Sequence, residues 1–236
     1  MPKIDASKYG SVSSGFESTF NAARTTGATA VNQSLASNTT VSQYFRDSGK
    51  GGTNYKITRF FCAFDTSSYS SGYTISNLKF HWRNTAGTTC SPTICFPAFI
   101  IVKSTAQGDA DTNLSSSDFY SDVDFSTAYS SSTNLSTSAG DSSITLNSTA
   151  ITAFGTDLLK LVVLQYGNDY ANAGGMSDLT QKMNANFASG SSGYVPYIQF
   201  DAVVSGYGND VSGVSSDDIA SVNSVATANI SQIIGV

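Results

Sequence analysis

The chain has 236 residues, enough to bury one substantial core, and charged residues make up only 12% of it, about half the roughly 25% usual for soluble domains. Ser, Thr, Asn and Gly take their place, and the net charge of -5 comes without any Lys/Arg cluster, which excludes the electrostatic footprint of a nucleic-acid binder. The opening "MPKIDASKYG" has no apolar signal region and the longest apolar run, "LLKLVVL", falls far short of the roughly 20 residues that cross a bilayer, so neither a cleaved signal nor a membrane span is expected.

In chain order, residues 1–40 read as a polar lead-in, with helical spacing only in "FESTFNAAR", where Phe16, Phe20 and Ala23 share a side. From Val41 the vocabulary changes to runs of Val, Ile, Phe, Tyr and Thr bounded by Gly, Ser and Asn. The runs "TVSQYF", "YKITRFFCAF", "YTISNLKFHWR", "ICFPAFIIVKS", "SITLN", "LLKLVVLQY" and "YVPYIQFDAVV" are the expected strands. Strands with turn signals and no long helix between them predict an all-β, antiparallel sandwich over residues 41–210, followed by a C-terminal docking segment over 211–236. Pro97 and Pro196 predict that two of the strands lie at sheet margins. Two Ser/Asp/Gly-rich excursions, 104–141 and 167–193, are the expected functional loops, the second holding a short helix at "MSDLTQKM".

In "RFFCAFDTSSYSSGYTISNLKFHW" Phe60, Cys62 and Phe64 share one face, and Asp65 to Ser68 supply side chains that bond a turning backbone. Gly72 supplies the relaxed dihedral. The following strand changes phase between Ile75 and Leu78, which predicts a bulge near Asn77. Trp82 falls with Phe80 and Leu78 on the core face. His81, the chain's only histidine, falls on the opposite face beside Lys79 and Arg83, without a nucleophile elbow or a second histidine for a metal. It is expected to be a surface sheet residue.

Cys62, Cys90 and Cys95 are expected as reduced thiols, with a Cys90–Cys95 disulfide as the alternative. Asp109, Asp111, Asp118, Asp122 and Asp124 bring hard oxygen ligands of the kind calcium takes, but without EF-hand spacing, and the plainer reading is a solvated acidic loop. Glu17 is the only glutamate and no facing pair of acids for glycoside hydrolysis can be named. Neither an enzyme nor a cofactor is expected. Tyr166, Tyr170, Tyr194 and Tyr207 are the candidate ligand-binding rings, either stacking on sugars or filling core and subunit contacts.

The tail "DDIASVNSVATANISQIIGV" repeats one pattern, Ile219, Val222 and Val225 recurring as Ile230, Ile233 and Val236, eleven residues on. A helical turn is expected from Ile219 to Val222 and another from Ile230 to Ile233, with Ser216 and Asp217 as caps for the first. Segments so short are marginal alone in water and must dock, either on the sandwich or on another subunit. These six apolar residues are the expected assembly interface.

The stretch Phe64-Asp65-Thr66-Ser67-Ser68, preceded by an Arg and an alternating strand and followed by "TIS", resembles a jelly-roll-like β-sandwich domain found in phage and marine-virus structural proteins. It is similar also to jelly-roll modules of bacterial surface proteins and to carbohydrate-binding modules. The resemblance covers roughly residues 44–204, departing mildly at Ser76-Asn77-Leu78-Lys79, where the family's second strand reads "SATL". The tail resembles the "Ile-x-x-Val-Asn-x-Val-Ala" endings of phage virion proteins. What the resemblance implies is a non-enzymatic subunit of a bacteriophage virion, a head decoration, head fibre or tail component, assembled in the host cytoplasm. Its partners would be other virion proteins and copies of itself, with no nucleic acid and no membrane. The alternative is a carbohydrate- or receptor-binding module that attaches to host surface glycans.

Overall fold

A computed structural model of the chain describes residues 1–26, 28–32, 39–47, 53–70, 72–84, 89–91, 98–107, 113–134, 140–155, 157–173, 182–188, 194–204, 221–222 and 225–226. β1 (Lys3–Asp5) and β2 (Lys8–Ser14) come first, then helix α1 (Phe20–Thr25), β3 (Ala28–Asn32), β4 (Thr39–Asp47) and the long β5 (Thr53–Asp65). β6 (Tyr73–Asn84), β7 (Thr89–Ser91), β8 (Ala98–Ser104), β9 (Val123–Ala128), β10 (Thr133–Asn134) and β11 (Gly140–Thr145) follow. After helix α2 (Ser148–Ala153) come β12 (Leu158–Gln165), β13 (Lys182–Ala188), β14 (Tyr197–Val204), β15 (Ser221–Val222) and β16 (Val225–Ala226).

Two antiparallel sheets pack face to face as a β-sandwich. The smaller has the order β1-β14-β6-β11, and the larger runs β10-β8-β12-β5-β4-β13-β7, with β2, β3 and β9 attached beside it. All seven strand runs expected from the sequence contain strands. β5 organises the larger sheet because it is long enough to hold β4 through Thr53–Thr58, β12 through Phe60–Asp65 and, on its other edge, β2 through Thr58–Ala63.

The core lies between the sheets. Phe60, Cys62 and Phe64 of β5 and Leu159, Leu161 and Val163 of β12 meet Leu78, Phe80 and Trp82 of β6 and Ile198 and Phe200 of β14. Each fully buried large side chain of this kind contributes about 1.5–3 kcal/mol over leaving it exposed. A second apolar cluster covers the far side of the larger sheet, where Ile57, Phe61, Val162 and Leu164 pack against Phe20 and Ala23 of α1, Phe119 and Val123. β5 and β12 are therefore buried on both faces, which is why they read as near-continuous apolar runs rather than as alternating ones.

Between these strands the turn chemistry is as the motif predicts. Asp65 Oδ1 accepts from Ser67 N–H at 3.0 Å and Ser67 Oγ at 2.6 Å. Buried Thr66 donates its hydroxyl to Asp157 O and accepts from Gly155 N–H. Gly155 stands at φ 82°, and a Cβ there would lie 2.6 Å from Tyr69 O. The expected bulge forms at Asn77, with φ 51° and a register shift opposite Gln199/Asp201; its Nδ2 donates to Asp201 at 2.6 Å.

Several expectations need correction. Strands begin at Lys3, not at Val41: β1 edges the smaller sheet and β2 joins the larger one. The polar residues that disguise β2 are satisfied inside the fold, buried Ser14 Oγ accepting from Ile57 N–H at 3.0 Å and half-buried Ser13 Oγ pairing with Thr58 Oγ1 at 2.8 Å. The prolines do not mark margins. Pro196 stands just before β14, which lies between β1 and β6, and β8, which follows Pro97, lies between β12 and β10, so neither strand is at a margin; Pro97 itself falls outside the described residues. The helix expected at "MSDLTQKM" fails at its end, where Lys182 and Met183 are already β13, paired with β4 and β7. The excursion 104–141 contains β9 and β10. Cys62 is a free buried thiol whose pKa burial pushes well up, Cys90 lies in β7, and Cys95 falls outside the described residues.

Candidate assembly and ligand-binding surfaces

The C-terminal segment was expected to carry the assembly residues. Val222 and Val225 face each other in the β15–β16 pair, and that pair forms a two-stranded sheet of its own, apart from the two sheets of the sandwich. A helical turn ending at Val222 is thereby replaced by extended chain. The β-branched valines favour it. Ile219, Ile230, Ile233 and Val236 lie outside the described residues.

Of the three candidate tyrosines that are described, two come together and one stands elsewhere. Tyr166 and Tyr170 begin and end a π-helical turn directly after β12 and stack on each other at 5.8 Å and 22°. Gln165 caps the turn, its Oε1 accepting from Asn168 N–H at 2.7 Å. Tyr166 is exposed, whereas Tyr170 packs on the cluster covering the larger sheet. Tyr194 stands across the sandwich near Tyr197, ring centroids 6.5 Å apart, and burial raises its hydroxyl pKa. Tyr207 lies outside the described residues.

The outer face of the smaller sheet carries the polar half of each strand. His81 stacks flat on Tyr197 at 4.5 Å and 7°, and Lys3 Nζ lies 4.3 Å from the same ring centre. Because β14 stands between β1 and β6, Lys3 and His81 approach Tyr197 from opposite sides, so neither ring face is left to stack on a sugar. His81 keeps the surface-sheet position expected of it, half-buried, with cross-strand neighbours Ser143 and Tyr197, neither of them a carboxylate. Its Nε2 is buried without a hydrogen-bond partner. Burial first, then Lys79, lowers its pKa against the opposing pull of Asp141, which favours a neutral ring.

Across the sandwich lies a group that sequence reasoning missed. Arg59, fully buried on the covered face of β5, donates through Nε to Asp169 Oδ2 at 2.9 Å, through Nη2 to Asp169 Oδ1 at 2.6 Å and to the Arg24 carbonyl at 2.9 Å, and through Nη1 to the Phe119 carbonyl. Its guanidinium lies 4.1 Å from the Phe119 ring centre. Arg24 in turn donates to the Asp169 carbonyl at 2.7 Å. The Asp169 carboxylate thus pairs with both Arg59 at 2.6 Å and Arg24 at 3.8 Å and ties α1, β5, the turn at Phe119 and the π-helical turn together. The sequence signal was Arg59 standing in the Ile57-x-Arg59-x-Phe61 row of a strand apolar on both faces, since a cation there needs a buried anion.

The aspartates of the 104–141 loop that are described serve the backbone and hydroxyls around them. Asp118 closes a capping box with Ser115, Asp122 accepts from Thr105 Oγ1 at 2.7 Å, and Asp124 accepts from Ser126 Oγ at 2.6 Å. Burial raises the Asp118 pKa, and the Ser126 hydroxyl lowers that of Asp124. Among the described residues no three His, Cys, Asp or Glu side chains group as metal ligands. Asp109 and Asp111 lie outside them. A shallow groove of about 330 Å³ beside α2 is lined by Lys103, Thr127, Ser148, Thr149, Thr152 and Ala153 above the buried Tyr129, a mostly apolar wall with hydroxyls along it. No family model matches the chain, and no curated protein matches it.

Proposed function

We propose that this chain is a structural subunit of a bacteriophage virion, a head decoration, head fibre or tail component, held in place by protein–protein contacts of its segment 211–236. The observation that supports this reading is that β15–β16 hydrogen-bonds to neither sheet of the sandwich, in a tail whose apolar repeat needs a partner surface. The sparsely charged, hydroxyl-rich composition fits a subunit packed beside many copies of itself, where like charges would repel. In this reading the sandwich is a rigid block, the partners are other virion proteins and further copies, and the protein is not an enzyme. Deletion of residues 215–236 tests it: the truncated chain keeps the far-UV signature of the sandwich but is lost from purified particles. Normal incorporation overturns the proposal.

The groove beside α2 favours a second reading, a carbohydrate- or receptor-binding module. The exposed hydroxyls of Ser148 and Thr149 along the groove suit hydrogen bonding to a sugar. A glycan array probed with the full chain, beside a Thr152→Arg variant that fills the groove, tests it. Binding lost in the variant supports the reading, and an array without signal removes it.

A further inference from the structure

β11 closes one margin of the smaller sheet, and among the described residues no strand pairs with its far side. The direction of its backbone groups follows from one bond just beyond it. Leu146 N–H donates to Leu78 O at 2.8 Å, so residues 146 and 78 form a hydrogen-bonded antiparallel pair. In the same register Ile144 faces Phe80 and Ser142 faces Trp82. Hydrogen-bonded and non-bonded pairs alternate along an antiparallel ladder. The N–H and C=O groups of Ser142 and Ile144 therefore point to β6, and those of Asp141, Ser143 and Thr145 point outward from the sheet edge.

The other margins carry the usual protections against stray pairing. β1 and β7 have three residues and β10 two, while the β3 and β9 ladders are each broken by a register shift. β11 runs six residues in unbroken register and contains no proline. It is the one long regular edge among the described strands.

We propose that β11 is a dimerisation edge that pairs antiparallel with β11 of a second copy across a two-fold axis, joining the two smaller sheets into one. The register follows from the faces. Ile144 points into the core while Asp141, Ser143 and Thr145 are exposed. Directly opposed residues share a face, so the axis must pass through a residue of β11 rather than between two. Centred on Ser143, the pairing sets Asp141 against Thr145 of the second copy and joins all the outward backbone groups of the three residues. Centred on Ser142, it leaves Thr145 without a partner inside the strand. The Ser143 register also places a hydroxyl donor opposite each Asp141 carboxylate and sets no like charges face to face.

The test is the mass in solution, by light scattering, of four proteins: the full chain, the chain lacking 215–236, Ser143→Pro and Ser143→Lys. Ser143 N–H makes no bond to β6, so proline there removes an edge donor and leaves the β6 ladder intact. Lysine keeps the backbone donor and brings two ammonium groups together at the axis. The expected result is a dimer for the full and truncated chains, and at least about tenfold weaker dimerisation in both Ser143 variants with unchanged far-UV spectra. A monomeric full chain overturns the proposal, as does a dimer that survives Ser143→Lys. A dimer lost on truncation alone also overturns it while leaving the tail's assembly role standing, so the two ideas fail separately.

Discussion

The outer faces of the two sheets make opposite uses of the same strand geometry. On the larger sheet the outward row of β5 is Ile57, Arg59, Phe61 and Ala63, all buried, under a cover formed by α1, the turn at Phe119 and the π-helical turn. On the smaller sheet the outward rows carry Lys79, His81 and Arg83 of β6 and Tyr197 and Gln199 of β14, with a salt bridge between Arg83 and Asp141 at 3.8 Å that is open to solvent. A covered face can hold a charge only if every donor and acceptor is met, and Arg59 meets that condition through Asp169 and two carbonyls. An uncovered face needs no such closure. The covered face should therefore be brittle toward substitution and the open one tolerant, with its edge available for contacts.

Removing one partner of the buried pair is the harshest way to break this contrast. Asp169→Ala leaves Arg59 and Arg24 without their shared carboxylate and is expected to cost about 3–5 kcal/mol in urea unfolding, with part of that loss recovered in the double variant Arg59→Met/Asp169→Leu, which removes the fully buried cation and leaves only the less buried Arg24 unpaired. Equal losses in the single and double variants would mean that packing rather than charge governs the site. A paired truncation sharpens the comparison: Phe61→Ala on the covered face should cost about 3–5 kcal/mol, whereas Tyr197→Ala on the open face should cost about 1 kcal/mol. Similar values for both would show that the open face is covered in solution.

The smallest effect lies in the pH dependence. His81 has a folded pKa lowered from 6.5, so the unfolded chain takes up a proton first as pH falls. Its contribution to stability is complete above the ordinary imidazole value and declines as pH drops from there toward the lower folded value. His81→Gln should flatten the stability profile in that window. A profile unchanged between wild type and variant would place the ring in an environment no drier than water.

Much of the β framework was legible in the sequence because alternation and turn chemistry are local. Phe60, Cys62 and Phe64 on one face, Trp82 with Phe80, His81 opposite them, and a bulge at Asn77 all follow from spacing. The N-terminal strands were hidden because β2 buries serines, whose satisfaction depends on Ile57 and Thr58 more than 40 positions away. The candidate site was less legible. The tyrosines were chosen by type, and whether two rings share a surface depends on which sheet face each occupies. The free edge of β11 depends on strand order, which periodicity does not report.

The sequence by itself determined that the chain is an antiparallel β-sandwich, where most of the strands run and which side chains line the space between the sheets, since a period of two and short-range turn bonds are written in neighbouring residues. Only the tertiary structure decided that Arg59 and Asp169, 110 positions apart, close one buried pair, that Lys3 and His81 enclose Tyr197, and that β11 is left at a margin. Those outcomes depend on contacts between distant segments, and a buried charge or an open edge takes its meaning from what the rest of the chain brings to it.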